Sequence, residues 1–517
     1  MSSRRNKVII IGAGISGLSA GCHLASSGYE TEIHEMHSLP GGLCTAWKRG
    51  PYLFDDCIHW LPGVTRASRF YDINDEVLDL SSMQFVRHDT VMTLEALDTA
   101  DPSGNKTFYL YGNIDKLEAY LWKIAPEDGP VTKKIIGICR YLAKCNIPPT
   151  LDPPEMLGLF DKIGMLRHLP LLLKLAGLSK ITMQSLSAKT KSPFLREVLQ
   201  RISLGKDYPA VVQFMQVAFS HQGSAATPLG GSLAFARRIE QRFLNLGGKI
   251  VYKSRIKKIL TENGRACGIE NEHGQKMNAD IVISAADGHW TLYEALEGKH
   301  LTPQLSELYA LKKLEPFESI VYVSLGLRSA FTGQVSSRIF FFPEPKKLCD
   351  GSEHSWLLAH LVNFDPAQAP EGKSVINVML LTRKHEYWES LRTSDPESYA
   401  AKKESAKDFV VDILEEKIGG IKTNLETWDV ATPATFIRYT GNWLGSYEGW
   451  YPDKNFLAAK PLPRRVPSLR DFYMIGQWTE AGGGITPCIK SGRDIARIIC
   501  RKDTRTWIAP NKRILNQ

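Results

Sequence analysis

Three glycines and one acid carry the clearest chemistry in this chain. Residues 6–42 read NKVIIIGAGISGLSAGCHLASSGYETEIHEMHSLPGG. A β-branched apolar run at 8–11 reads as a buried strand. It enters Gly12-x-Gly14-x-x-Gly17, and residues 19–27 read as a helix. Residues 29–35 read as a second strand that ends in Glu35. Each position has a physical purpose. Gly12 permits the tight turn, Gly14 lets the backbone approach a pyrophosphate, and Gly17 lets the helix pack on the strand. Ile15 and Ser16 then lie where backbone N–H groups and the positive end of the helix dipole meet phosphate oxygens. Glu35, about 20 residues further on, is placed to accept a ribose hydroxyl. The spacing predicts a dinucleotide grip; a glycine turn without a ligand is the plain alternative.

The elements that must position these residues need a large chain, and 517 residues predict two or three domains. The hydrophobic fraction of 43% and charged fraction of 23% are those of an ordinary globular protein with a sizeable core. The net charge of +9 is mild for this length and reads as a solvated basic surface. With no basic run and no nucleic-acid module, no nucleic-acid partner is expected. Nine cysteines occur without a C-x-x-C pair or histidines at zinc spacing, so free thiols, a reducing compartment and no metal site are expected. Only MSSRRN precedes the first strand, and no secretory signal is read there. No uncharged apolar run approaches the roughly 20 residues that cross a bilayer. The location expected is cytoplasmic or peripheral to a membrane.

Past Glu35 the chain reads Pro40-Gly41-Gly42-Leu43-Cys44-Thr45, with five residues between the acid and the Gly-Gly pair. Near the other end Phe472–Thr479 reads as a strand that runs into Gly482-Gly483-Gly484-Ile485-Thr486-Pro487, and residues 489–500, containing Ser491-Gly492-Arg493, read as a helix. Between them, Thr227-Pro228-Leu229-Gly230-Gly231-Ser232 opens a helix over 233–246, and 249–251, 256–261, 267–271 and 279–285 read as strands. Together these blocks resemble the flavin amine-oxidase superfamily, and within it the phytoene desaturase, carotenoid isomerase and retinol saturase group. The resemblance implies FAD as cofactor. It places Gly41 and Gly42 beside the FAD, Ile256 at the adenine through backbone groups, and Gly476 near ribityl and phosphate. Gly483, Gly484, Ile485 and Thr486 fall near the pyrophosphate and the flavin pyrimidine. Leu43 stands where the family often has arginine. Residues 52–60, YLFDDCIHW, resemble the family's F-D-x-G-x-H segment with Cys57 in the glycine position. His59 there either meets flavin or substrate or is an ordinary buried histidine.

The implied fold is α/β: a Rossmann-like FAD-binding domain of the glutathione-reductase and amine-oxidase type, with an inserted α+β substrate domain. The FAD-binding parts are 1–75, 225–295 and 465–517; 76–224 and 296–464 form the substrate domain. Residues 76–224 read as helical. Their leucine-rich stretch 157–178 is either an interfacial helix pair in peripheral membrane contact or a cap over a lipophilic tunnel, with Pro170 breaking it. The implied activity is an FAD-dependent oxidoreductase on a long apolar carotenoid, retinoid or other isoprenoid lipid. Hydride transfer with flavin N5 would give desaturation, saturation or double-bond isomerisation. A flavin amine oxidase is the alternative, and a non-catalytic prenyl- or lipid-binding escort protein is the second. One dinucleotide fingerprint predicts no second tightly held nicotinamide domain and leaves the electron acceptor open.

Overall fold

The Lys7–Ile11 strand is apolar at nearly every position because both its faces are covered. It is the centre of a five-stranded parallel sheet in the order Lys249–Val251, Glu30–His34, Lys7–Ile11, Ile281–Ser284, Phe472–Met474. Side chains alternate across the strand. Val8 and Ile10 enter a core shared with the Ile15–Ser26, Ser232–Asn245 and Ile485–Lys502 helices. Ile9 and Ile11 enter a second core against the antiparallel sheet Ile256–Glu262, Arg265–Asn271, Lys276–Asn278. Helices, parallel sheet and antiparallel sheet thus form three layers, an α/β Rossmann-like arrangement. This computed structural model describes residues 6–145, 152–158, 169–202, 208–311, 314–451, 462–480 and 482–514.

A larger sheet stands beside it. Its seven strands run in the order Leu425–Ala431, Ser319–Leu327, Ser374–Thr382, Glu353–Val362, Ser337–Lys347, Thr90–Glu95, Thr107–Tyr111. One part packs on helices drawn from 114–218, another on the Pro396–Lys417 helix. The helical reading of 76–224 therefore needs correction. Thr90–Glu95 and Thr107–Tyr111 are strands whose alternate residues Leu94, Phe108 and Leu110 feed a core. Short alternating runs separated by a polar loop were masked by the long helical stretch that follows.

Three helix and strand limits also differ from the sequence reading, and all three bear on the site. The first helix begins at Ile15 rather than 19. The closing helix begins at Ile485 rather than 489. Pro487 sits in its first turn, where the missing N–H has no helical partner to lose. The last strand ends at Met474, and residues from Gly476 turn toward that helix. Of the leucine-rich stretch, residues 159–168 lie outside the described residues. Its second half is the Leu169–Ser179 helix, with Pro170 in the first described turn and Leu169, Leu172 and Leu173 exposed. No helix among the described residues is long and apolar enough to cross a membrane.

Candidate active site

The Gly12 turn closes where the central strand meets the first helix. Gly12 takes φ +100°, and its N–H donates to His34 O at 2.8 Å, which locks the turn to the neighbouring strand. Gly14 caps the helix without a side-chain bond, and the first turn holds no acid. The N–H groups of Ile15, Ser16 and Gly17 therefore point out of the helix end with no capping side chain. Gly17 is fixed by packing: an added Cβ would lie 2.0 Å from Gly12 O.

Gly14 differs, and it tests whether the loop is built for a ligand. Its φ of −66° is ordinary backbone, and an added Cβ would meet nothing nearer than Gly41 O at 4.0 Å. The protein itself has room for a methyl group there. The loop keeps that room open, as a cradle for a phosphate requires.

Glu35 closes the groove on one side. Its Oε2 accepts the Ala13 N–H at 2.7 Å and its Oε1 accepts the His37 N–H at 2.8 Å. Burial raises its pKa; the backbone donors and the Arg255 charge oppose that. The Gly41 N–H reaches Ala13 O at 2.8 Å, so Gly41-Gly42 run beside the glycine turn. Ser254 N–H donates to Glu35 O at 2.9 Å, which brings the strand start at buried Ile256 alongside the acid. A pocket of about 360 Å³ adjoins this end, lined by Arg255, Arg392, Arg438 and Trp443 among others.

The closing motif meets the first helix from 470 residues away. Ser19 Oγ donates to Ile489 O at 2.7 Å. A Cβ on Gly476 would lie 2.9 Å from Ser16 Oγ, and one on Gly492 would lie 2.4 Å from Ser16 O. Gly484 caps the closing helix with φ +95° and no side-chain bond, so a second bare helix N-terminus begins at Ile485 and Thr486. Thr486 spends its hydroxyl on Asn74 Oδ1 at 3.1 Å, and its side chain is not free for a ligand. Arg493 is paired with Glu76 at 2.7 Å and lies over Trp507, so the S-G-R tail of the motif holds the helix in place.

Sequence reasoning missed three residues here. Asp55 accepts the Ser232 hydroxyl at 2.6 Å and the Ser232 and Cys57 N–H groups, capping the Ser232–Asn245 helix from a distant strand. His59 stacks face to face on His360, with ring centroids 3.7 Å apart, and burial pushes His59 down to about 4. Glu448 stands over Gly483, where an added Cβ would lie 2.7 Å from its Oε1. Asp55 was in view as part of a motif; nothing in the spacing marked Glu448 or His360.

Fold and site together define a Rossmann-like dinucleotide-binding protein whose glycine turns, buried Glu35 and bare helix ends converge. The chain belongs to the flavin containing amine oxidoreductase family, whose profile matches residues 192–500; a profile of NAD(P)-binding Rossmann-like domains matches 10–76. It is 25% identical over 505 residues to a phytoene desaturase (lycopene-forming) of a Paracoccus species, covering 95% of this chain and 96% of that one. It is 24% identical to the chloroplastic prolycopene isomerase of Daucus carota, covering 95% and 79%. Among solved structures, cyclohexylamine oxidase from Brevibacterium oxydans superposes with a TM-score of 0.57 at 14% identity, covering 97% of this chain and all of that one. The protein is an FAD-dependent oxidoreductase, and the escort-protein alternative falls with that membership.

Proposed function

We propose that this enzyme moves hydride between FAD and a carbon of a long apolar polyene or related isoprenoid, with desaturation, saturation or isomerisation of double bonds as the outcome. The observation that supports this most is the likeness along about the whole chain to proteins named for carotenoid double-bond chemistry. When bound, FAD supplies a two-electron hydride partner. The chain's own part is to hold and screen it. Gly12, Gly14, Ile15, Ser16 and Gly17 would take the pyrophosphate, and Glu35 the ribose. Gly41 and Gly42 would pass beside the cofactor, and Ile256 would meet the adenine. Gly476, Gly483, Gly484, Ile485 and the Thr486 backbone would meet the flavin end. Segments 1–75, 225–295 and 465–517 would form the cofactor domain, and 76–224 with 296–464 the substrate domain. His59, neutral at physiological pH, would line the wall between them.

The test is anaerobic flavin reduction and reoxidation against carotenoids, retinoids, fatty acids and amines. Spectral change with a polyene supports the reading. Change with an amine alone overturns it in favour of amine oxidation.

A further inference from the structure

The segment around Glu448 is pinned to the closing motif. Trp450 Nε1 donates to Trp478 O at 3.1 Å, and Gly482 N–H donates to Trp450 O at 3.0 Å. Gly449 allows the closest approach, since a Cβ there would lie 2.2 Å from Gln477 O. Glu448 is thereby carried over the glycine run. A Cβ on Gly483 would fall 2.2 Å from its Cγ, and one on Gly484 3.8 Å from its Oε1.

Among the described residues the carboxyl group has no cation beside it and no hydrogen-bond or ion-pair partner. Glu480, close by in sequence to the same turn, is by contrast paired with Arg464 at 2.5 Å. Among the described residues, the Tyr208 and Tyr447 hydroxyls and the Cys488 thiol of the closing helix feel the Glu448 charge, and none of them offers a positive charge. Glu448 is half-buried, with its side chain set against Gly483 and Gly484 rather than packed into the core. Burial with no compensating charge pushes its carboxyl up to about 8. A value so near neutral lets the group both give up and take up a proton.

Adding or removing hydrogen across a carbon–carbon double bond moves one hydride and one proton. FAD accounts for the hydride. Something else must account for the proton, and an apolar substrate brings no acidic group of its own. His59 is a poor donor because its imidazole is held neutral.

We propose that Glu448 is the proton donor and acceptor for this chemistry, resting on the reading above that the closing motif borders the flavin and that the substrate is unsaturated. In the saturating direction the Glu448 O–H bond breaks, and its proton forms a C–H bond at one alkene carbon with the π pair. The adjacent carbon takes hydride from reduced FAD. Glu448 is left as a carboxylate that regains its proton from water, and the FAD is left oxidised. In the desaturating direction the carboxylate takes the proton, and oxidised FAD takes the hydride.

The experiment compares wild type, E448Q and E448D, each loaded with FAD. The first readout is visible flavin absorbance between about pH 6 and 10. Wild type should show one ionisation near the raised value of about 8, and E448Q should lose it. The second is the anaerobic rate of flavin reduction by phytoene, and of reoxidation of the dithionite-reduced enzyme by lycopene or all-trans-retinol. E448Q should fall by about 100-fold or more while E448D keeps most of the rate. Yellow E448Q that titrates as wild type does, or that turns over at the wild-type rate, overturns the proposal. A colourless wild type overturns the cofactor placement instead. A yellow wild type that reacts with none of the three polyenes overturns the substrate reading and this proposal with it.

Discussion

The Ala13 N–H donates to Glu35 Oε2 at 2.7 Å, across 22 residues of chain. With His37 N–H on Oε1 at 2.8 Å, one carboxylate holds both the glycine turn and its own loop. Each oxygen keeps a lone pair for a ribose hydroxyl. Glu35→Ala strands two backbone donors, each at a cost of about 1–3 kcal/mol. We expect FAD affinity to fall by about 10- to 100-fold, measured by titrating the stripped protein with FAD. Unchanged affinity would place the ribose elsewhere.

Gly14 and Gly17 are two residues of one motif with opposite reasons to be glycine, and a pair of variants separates them. A side chain at Gly14 enters space that the protein leaves open. Gly14→Val should fold, with an unfolding midpoint close to that of FAD-free wild type, and purify without colour. Gly17→Ala drives a Cβ to 2.0 Å from Gly12 O. It should cost about 3 kcal/mol or more and fail to fold stably with or without FAD. Yellow Gly14→Val would refute the pyrophosphate placement.

The glycine turns of this molecule were readable in the sequence because they are features of the backbone. Glycines at fixed spacing announce where a main chain must come close, and Gly12, Gly17, Gly41 and Gly476 all stand at such approaches. The helix limits were read late by four residues at both Ile15 and Ile485, since glycine and proline in a first turn look like loop. The seven-stranded sheet was partly hidden. Its Thr90–Glu95 strand pairs in parallel with Ser337–Lys347, about 245 residues on by sequence number, and local pattern carries no trace of such a partner. Glu448 and His360 were out of reach for the same reason: each matters only through what the fold sets beside it.

Asp55 is a cap supplied from outside the helix it caps. It takes the Ser232 hydroxyl at 2.6 Å, the Ser232 N–H and the Cys57 N–H at 3.0 Å, while the Tyr322 hydroxyl donates to its main-chain oxygen at 3.1 Å. The strand Tyr52–Asp55, the Ser232–Asn245 helix and the seven-stranded sheet meet at this one residue. Asp55→Ala leaves three donors, two of them buried, without an acceptor. We expect a loss of about 2–4 kcal/mol in urea unfolding. Asp55→Asn, which keeps one accepting oxygen, should lose less; equal losses would mean that packing rather than hydrogen bonding matters here.

The His59–His360 stack makes stability depend on acid. Burial lowers both imidazoles, His59 to about 4, and His360 also feels the His59 charge. His360 Nδ1 lies 3.0 Å from Ser337 Oγ, and its Nε2 has no partner among the described residues. An unfolded histidine titrates near 6.5. Between about pH 6.5 and 4 the unfolded chain therefore binds a proton at His59 that the folded chain does not. The stabilisation is complete above pH 6.5 and is lost as pH falls, by at most about 1.4 kcal/mol per unit for each ring. His59→Phe keeps a flat ring on His360 and removes this titration. The drop in urea stability from pH 7 to pH 5 should shrink by about 2 kcal/mol in that variant. An unchanged drop would mean that His59 is solvated and free to protonate, and a solvated His59 would be available as a proton carrier after all.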